Sequence, residues 1–414
     1  MKKQVFKNIK TLLQIRKTQI DYVAGLDMQH LPSICNAYLM VENGKIAEYG
    51  TMDNYPSFDE NTWEEIDVSG KIILPTWCDS HTHLVYAGSR ETEFVDRIKG
   101  LSYQEIAQKG GGILNSALKL NATSEEDLYT QSVARLEEII SLGTGAVEIK
   151  SGYGLTIEGE LKMLRVIQRL KQQYAIPIKA TFLGAHAIPE TYKNRKEAYL
   201  LMLIEKILPI IDQEQLANFI DIFCEESYFS VEDTQQIMEA GRLHGLRSKI
   251  HVNQFTVLGG IRTAVQADAL SVDHLEELAE DDIEALKGSK TMPVALPNCS
   301  YFLGIPYTPA RKIIDSGLPL ALATDYNPGS SPSGNMNQVV SMACIKMKMT
   351  PEEAINAATI NGAYAMEVQN EVGSITVGKR ANFIITKEVP SLAFIPYAFG
   401  SNLIDSVYVN GEMQ

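Results

Sequence analysis

The sequence contains no run of about 18 apolar residues and therefore offers no segment for a membrane span. It is poor in cysteine: its five residues lie far apart without a CxxC pair, which favours reduced thiols in a cytoplasmic protein over a disulfide framework. Positive charge is the minority sign, since 37 Lys and Arg stand against 51 Asp and Glu, for a net charge of −14. This acidity argues against nucleic acid or an anionic membrane as a partner.

What the chain does have is material for a large core. Hydrophobic residues make up 45% of it and charged residues 21%, a composition typical of a folded globular protein. A length of 414 residues exceeds one ordinary compact domain. It suits a barrel of about 250 residues accompanied by a second unit.

Both ends of the chain are rich in short alternating segments. The string AYLMVENGKIAEYG predicts two strands joined by an Asn-Gly turn at 43–44, and a second Asn-Gly pair follows DSVYV at 410–411. We therefore predict a small β-sandwich domain formed by residues 1–71 together with residues 367–414.

Residues 72–366 alternate apolar runs with helix-like stretches. Ser124, Ser230 and Thr350 each precede an acidic first turn and are predicted N-caps. The alternation predicts an α/β fold, a (β/α)8 TIM-like barrel, with a doubly wound sheet as the alternative. The eight predicted strands are KIILPTWCD, TGAVEIKS, IPIKATFLG, FIDIFCEE, LRSKIHVN, ALSVDH, TMPVALP and LPLALATD.

Polar residues recur where these strands end, which favours the barrel, because its active sites form at the carboxyl ends of the strands. His81 and His83 lie two residues apart at the end of the first strand and so point to one face. A single histidine at a strand end is more often structural, but an ordered set is far less expected by chance. The other members of the set are His186, His251, His274 and Asp325, after strands three, five, six and eight.

Imidazole nitrogens and a carboxylate oxygen suit Zn²⁺ or iron. We predict that His81, His83, His251 and Asp325 bind such a cation, which lowers the pKa of a bound water to near neutrality. Asp325 is also placed to take a proton from that water. His274 is better suited to accept a proton or stabilise an oxyanion than to act as a further ligand.

The string PTWCDSHTHL is similar to the first-strand signature of the amidohydrolase superfamily, and the resemblance extends over nearly the whole chain, including the split β-domain. Many members hold two metals bridged by a modified lysine or a glutamate after strand four. Here that strand ends in Cys224-Glu225-Glu226, without a lysine. The two glutamates leave a second metal open, but we favour one Zn²⁺ or one iron ion (Fe²⁺ or Fe³⁺) per subunit.

Within the superfamily the chain most resembles the imidazolonepropionase family. This resemblance implies hydrolysis of a small molecule, 4-imidazolone-5-propanoate, to N-formimidoyl-L-glutamate in histidine degradation, and a homodimer is a reasonable expectation for the scaffold. Seven strings carry it, in the expected order: HTHLVYAGSRETEF, KGGGI, EIKSGYGL, FLGAHAIP, KIHVNQF, VDHLEEL and TDYNPGSSP.

The substrate implied by the resemblance carries a propionate. Arg90, in the loop after the first strand, is suited to bind it, since a guanidinium can hold a carboxylate through two hydrogen bonds. The alternative is a surface arginine paired with Glu91 or Glu93. Tyr153 lies between glycines that let the backbone approach a ligand, although a packed loop aromatic is the competing interpretation.

Four further substrate contacts are implied. His186 is placed to donate to the ring carbonyl or the propionate. Asn327, Gly329 and Ser330 follow Asp325 and are expected to offer side-chain and backbone hydrogen bonds, an expectation that depends most on the resemblance, since this stretch is otherwise an ordinary turn.

One departure from the pattern of related deaminases narrows the choice of reaction. Related deaminases carry HxxE after strand five, whereas this chain has Gln254 three residues after His251. A glutamine amide cannot exchange a proton at neutral pH, so Gln254 is expected to bind substrate. Asp325 is then expected to act as the general base, with His274 as a second proton acceptor. Another cyclic amidine hydrolase, a deaminase and a non-catalytic barrel are the alternatives.

Overall fold

The computed structural model describes residues 3–59, 62–101, 105–106 and 111–414. These residues form two eight-stranded sheets, one of them parallel and made from the middle of the chain, the other made from both ends. None of the helices in the described ranges is long and apolar enough to cross a membrane.

The chain begins with five strands of the terminal sheet. The turn at 43–44 joins two of them as predicted, with φ of +55° at Asn43 and +74° at Gly44, values that an Asn-Gly pair adopts readily. A side-chain carbon at Gly44 would lie 2.9 Å from the backbone oxygen of Asn410, so the two Asn-Gly turns pack together. The five strands are β1 (Lys3–Leu13), β2 (Ser33–Glu42), β3 (Lys45–Thr51), β4 (Glu64–Asp67) and β5 (Lys71–Pro75).

The predicted barrel is confirmed: eight parallel strands pair in chain order, each with the next. The barrel closes between the segments that follow its first and last strands, where the N–H of His83 donates to the carbonyl oxygen of Tyr326 over 2.9 Å. The strands are β6 (Trp77–Thr82), β7 (Thr144–Lys150), β8 (Ile178–Ala185), β9 (Phe219–Cys224), β10 (Arg247–Val252), β11 (Ser271–His274), β12 (Met292–Ala295) and β13 (Ala321–Leu322).

The predicted first barrel strand, KIILPTWCD, is two strands. Its first half, β5, pairs with β1 and with β14 (Phe383–Glu388) of the terminal sheet, and only its second half, β6, enters the barrel. The continuous apolar character of this string could not reveal the division, because β5 is largely buried in the terminal sheet and β6 is buried in the barrel. The boundary predicted at residue 72 therefore falls inside a terminal-sheet strand, and we propose that the barrel begins at Trp77.

The last strands complete the terminal sheet, where β14 lies between β5 and β15 (Ile404–Val409), and β16 (Glu412–Met413) pairs with β15. The Phe6 ring of β1 lies 5.0 Å from the rings of both Phe383 and Tyr408. The two ends of the chain therefore share one apolar core, and a smaller apolar cluster beside it comes from the N-terminal segment.

Helices connect and cover the barrel strands. The predicted caps are present: Ser124, Ser230 and Thr350 each accept a hydrogen bond from the third residue of the helix that follows. The α-helices are Glu91–Ile98, Ile113–Ala122, Glu125–Ser141, Ile157–Gln173, Lys196–Met202, Leu208–Glu214, Val231–Leu243, Gly260–Gln266, Glu280–Leu286, Pro297–Leu303, Ala310–Asp315, Met336–Met347, Pro351–Asn356, Gly362–Tyr364 and Phe394–Tyr397, with π-helical turns at Leu203–Ile207 and Ala357–Asn361.

Candidate metal centre and active site

The predicted ligands meet at the carboxyl ends of the barrel strands. His81 belongs to β6, His83 follows it, His251 belongs to β10 and Asp325 follows β13. All four residues are buried, with at most 2% of their surface exposed. Residues from distant parts of the chain thus reach one point because parallel strands end at one rim.

Four metal-binding atoms converge there. Asp325 Oδ1 lies 3.4 Å from His83 Nε2 and 3.6 Å from His81 Nε2, and His83 Nε2 lies 3.3 Å from His251 Nε2. His81 Nε2 is buried without a hydrogen-bond partner among the described residues. Three imidazole nitrogens and a carboxylate oxygen that face one another this way fit a divalent cation, which would satisfy all of them.

The opposite ring nitrogens of two of these histidines are held by carboxylates. His81 Nδ1 lies 2.6 Å from Asp273 Oδ2, and His251 Nδ1 lies 2.9 Å from Asp221 Oδ2. An N–H at Nδ1 leaves the Nε2 lone pair free for a metal. Sequence reasoning missed both aspartates; the available signal was an acidic residue inside each of two otherwise apolar strands, FIDIFC and LSVDH.

The electrostatic setting favours neutral ligands. Burial, reinforced by neighbouring imidazoles and the Lys150 ammonium, lowers the pKa of His81 and of His83 well below the usual 6.5. Both rings are therefore neutral at neutral pH, which is the form that binds metals. Burial raises the pKa of Asp325.

His274 borders the same centre and differs from the other rings. One of its ring nitrogens lies within 4.8 Å of nitrogens of His81 and His251. Burial alone would lower the pKa of His274, but the charges of Glu276 and Asp325 outweigh it and raise that pKa. His274 Nδ1 lies 3.5 Å from Glu276 Oε1.

The backbone is strained at two of these residues. His274 has φ of +91° and Asp325 has φ of +55°, in the region that residues with a side chain rarely adopt. Strain of this kind costs of order 1–3 kcal/mol and concentrates at functional sites. Here it marks the two residues that sequence reasoning assigned to proton transfer.

A pocket opens over the ligand set, and His83, His251 and Asp325 form part of its wall. Every residue predicted to contact substrate also lines it: Arg90, Tyr153, His186, Gln254, Asn327, Gly329 and Ser330.

Arg90 lines the pocket and is also paired with a glutamate. Its Nε and Nη2 lie 2.8 Å and 2.6 Å from Glu93 Oε2, so the pairing is with Glu93. The pair is buried, at 6% and 7% exposure, rather than on the surface. Glu93 also accepts from the N–H of Gly112 and from Asn115 Nδ2, which fixes the carboxylate that holds the guanidinium.

Tyr153 and His186 form one side of the pocket. Their rings lie 5.4 Å apart, and the Tyr153 ring is 5.8 Å from that of His83. His186 Nδ1 lies 3.1 Å from the carbonyl oxygen of Gly152. Gly152 has φ of +107°, and a side-chain carbon there would lie 2.9 Å from His186 Nδ1, so this glycine lets the loop close against the ring.

The turn after Asp325 is held mainly by its own side chains. The N–H groups of Gly329 and Ser330 both donate to Asn327 Oδ1 over 2.8 Å, and Asn327 Nδ2 donates to the carbonyl oxygen of Asp325. These two N–H groups already have partners, contrary to the expectation that they would donate to substrate. The Ser330 hydroxyl lies 3.4 Å from Asp325 Oδ2, beside the predicted ligands.

Comparison with known proteins places this architecture in a family. The family model "Amidohydrolase family" matches residues 72–413. The chain is 64% identical over 406 residues to the imidazolonepropionase of Christiangramia forsetii, with 98% of each chain covered, and 63% identical over 409 residues to that of Flavobacterium johnsoniae, with 99% of each covered. The chain belongs to the amidohydrolase family, and within it to the imidazolonepropionases.

Solved amidohydrolase structures share the fold at low identity. An adenosine deaminase from Xanthomonas campestris with bound zinc superposes with a TM-score of 0.73 at 15% identity, over 99% of this chain and 92% of that one. A guanine deaminase from C. acetobutylicum with bound guanine gives a TM-score of 0.70 at 17% identity, over 99% of each chain. The chain therefore shares its fold with these two structures.

The glutamates after the fourth barrel strand, Glu225 and Glu226, have other surroundings than the ligand set. Glu225 accepts hydrogen bonds from the N–H groups of Phe255 and Thr256 and so fastens the loop after β10. Neither Glu225 nor Glu226 belongs to a group of convergent metal-binding atoms within the described part of the chain.

Proposed function

We propose that this chain hydrolyses 4-imidazolone-5-propanoate to N-formimidoyl-L-glutamate with the help of one bound metal ion. The observation that carries the proposal is the convergence of His81, His83, His251 and Asp325. The last three of these residues line a pocket that Arg90 also lines. Relatives called imidazolonepropionase, 64% and 63% identical over nearly the whole chain, support the substrate.

The four converging residues would hold the metal. Their nitrogen and oxygen donors suit Zn²⁺ as well as iron, so we propose one Zn²⁺ or one Fe²⁺/Fe³⁺ per subunit. When bound, such a cation supplies a water of lowered pKa and polarises the carbonyl of the substrate. Asp273 and Asp221, on the far sides of His81 and His251, keep both rings oriented toward it.

Asp325 is the proposed base. Its carboxylate takes a proton from the attacking water, and the water oxygen bonds to the ring carbonyl carbon. The bond from that carbon to the ring nitrogen then breaks, and Asp325 returns the proton to the nitrogen. The imidazoles of His274 and His186 face the same pocket and are proposed to stabilise the oxyanion of the tetrahedral intermediate.

Arg90 and Tyr153 are proposed to hold the propionate and so to orient the ring. Gln254 is proposed to bind the ring; its Nε2 lies 3.4 Å from Cys299 Sγ, which leaves the amide oxygen to accept from a ring N–H. Asn327 is proposed to shape this end of the pocket through its turn, and Ser330 to offer a hydroxyl. Gly329 is proposed to give the Arg90 guanidinium its space.

The decisive experiment combines elemental analysis of the purified protein with an assay for the loss of 4-imidazolone-5-propanoate. We expect close to one zinc or iron per chain and formation of N-formimidoyl-L-glutamate. Full activity in metal-free protein would overturn the mechanism. Release of ammonia from purines or pyrimidines without consumption of the imidazolone would instead assign a deaminase.

Two broader proposals accompany this function. We propose a cytoplasmic location, because all five cysteines are free thiols. We also propose a homodimer, on the basis of the scaffold alone. The molar mass in solution, measured by light scattering, tests the oligomeric state, and fractionation of cells tests the location.

A further inference from the structure

We propose that Lys150 is a positioning residue for the metal centre, holding in place the two carboxylates that orient His81 and His251. This inference rests on the proposed metal centre and deepens it. Lys150 ends β7, its side chain is fully buried, and it does not line the substrate pocket. A role in substrate binding is therefore not open to it.

The Lys150 ammonium is shared among three carboxylates. Its Nζ lies 2.6 Å from Glu148 Oε1, 2.8 Å from Asp221 Oδ2 and 3.5 Å from Asp273 Oδ2. An ammonium group has three N–H donors, so it can serve three acceptors at once. Asp221 and Asp273 come from β9 and β11, the two strands that flank β10, and Lys150 spans both.

The same carboxylate oxygens contact the ligand histidines. Asp221 Oδ2 lies 2.9 Å from His251 Nδ1, and Asp273 Oδ2 lies 2.6 Å from His81 Nδ1. One continuous path therefore runs from the first imidazole through a carboxylate, the ammonium and a second carboxylate to the other imidazole. A change at Lys150 would reach two metal ligands together.

The physical need for this cation is clear from the burial. Asp221 and Asp273 are at most 1% exposed, and two carboxylates directed at one small region repel each other in a medium of low dielectric. Lys150 offsets that repulsion and fixes the position of both oxygens. Without it, we expect the carboxylates to move apart, which would turn the rings of His81 and His251 away from a shared metal.

Lys249 offers a matched control. It is also fully buried, and it pairs with Glu148, the carboxylate that Lys150 contacts too. Its other contacts are the carbonyl oxygens of Ser80 and Ala365, at 3.0 Å and 3.1 Å. It thus belongs to the same buried cluster, but these contacts of Lys249 are not with Asp221 or Asp273.

The test compares Lys150→Met with Lys249→Met in the zinc-loaded enzyme. The rate of zinc release to a chromogenic chelator and the zinc affinity are measured beside the melting temperature and the KM. We expect Lys150→Met to weaken zinc binding roughly 10- to 100-fold, and Lys249→Met to lose stability with zinc affinity nearly unchanged. Equal loss of affinity in both variants, or none in Lys150→Met, would overturn the proposal.

A second comparison removes the two carboxylates through which Lys150 is proposed to act. In an Asp221→Asn/Asp273→Asn background, Lys150→Met should cost much less zinc affinity than in the wild type, because the two effects share one path. Full additivity would contradict the proposal. If Lys150→Met does not fold, Lys150→Gln replaces it with the same expected and contradicting results. Wild-type protein that binds no metal would defeat the proposed function itself, whereas unchanged zinc binding after substitution defeats only this inference.

Discussion

The backbone N–H of Asp325 donates to the backbone carbonyl oxygen of His81 over 2.9 Å. This bond joins the chain after the last barrel strand to the first barrel strand, and it sets Asp325 Oδ1 3.6 Å from His81 Nε2. The φ of +55° at Asp325 accompanies the turn that aims its carboxylate at the histidines. The hydrogen bond that closes the barrel here thus also joins two residues of the proposed metal centre.

The first prediction concerns Asp325 as base and ligand. Asp325→Asn keeps the shape of the side chain but removes the proton acceptor, so we expect kcat to fall by about 10²- to 10⁴-fold. Zinc content should fall as well, because an amide oxygen is a weaker ligand than a carboxylate. Steady-state kinetics with elemental analysis checks both, and turnover like that of the wild type would exclude Asp325 as the base.

The second prediction concerns Arg90. Arg90→Lys keeps the positive charge but loses the two-pronged geometry, so we expect KM to rise roughly 10- to 100-fold with a smaller change in kcat. Glu91→Gln, at an exposed neighbour, should leave both constants unchanged. A fall in kcat without any rise in KM would argue that Arg90 acts on the chemical step rather than on the propionate.

The third prediction concerns space rather than charge. A side-chain carbon at Gly329 would lie 1.9 Å from Arg90 Nη1, so Gly329→Ala must displace the guanidinium. We expect its KM to rise as in Arg90→Lys. Gly400→Ala is the matched control, since a carbon at Gly400 meets no atom within 4 Å. Equal KM values for the two alanine variants would contradict the proposal that Gly329 leaves space for the Arg90 guanidinium.

The fourth prediction concerns metal removal. A strong chelator should abolish activity, and added Zn²⁺ or Fe²⁺ should restore it. Since metal binds the folded state, saturation at about 100 times the Kd should raise the free energy of unfolding by about 2.7 kcal/mol. Differential scanning fluorimetry of the metal-free and reloaded protein measures the shift. Identical melting temperatures with and without metal would count against a bound ion.

The fifth prediction concerns pH. Burial lowers the pKa of His186 to about 3, whereas an unfolded histidine titrates near 6.5. Between these values the unfolded state binds a proton that the folded state does not, so stability falls as the pH drops below about 6.5. In metal-free protein, His186→Gln should therefore lose less stability than the wild type between pH 7 and pH 4. Urea unfolding of both proteins at each pH gives their free energies of unfolding. An equal dependence of this free energy on pH in the two proteins would contradict the prediction.

Much of the site was predictable because its signals are local. Strand alternation put His81 and His83 on one face, and the ends of apolar runs located His251, His274 and Asp325. The alternative interpretation of Arg90, a surface pair with Glu91 or Glu93, left the glutamate open, and only the structure shows that the partner is Glu93. Asp221 was missed because one acid in an apolar strand does not reveal its partner.

The sequence by itself determined the alternation of strands and helices, the helix caps and the Asn-Gly turn, since each depends on neighbours within a few residues. It predicted the ligand set from polar residues at the ends of the strands. The tertiary structure alone decided that KIILPTWCD divides between two sheets and that Asp273 meets His81, 192 positions away in the chain. It also decided that Lys150 lies between Asp221 and Asp273. Contacts of this kind come from the closure of the barrel, which brings strand interiors together in a way that no spacing along the chain records.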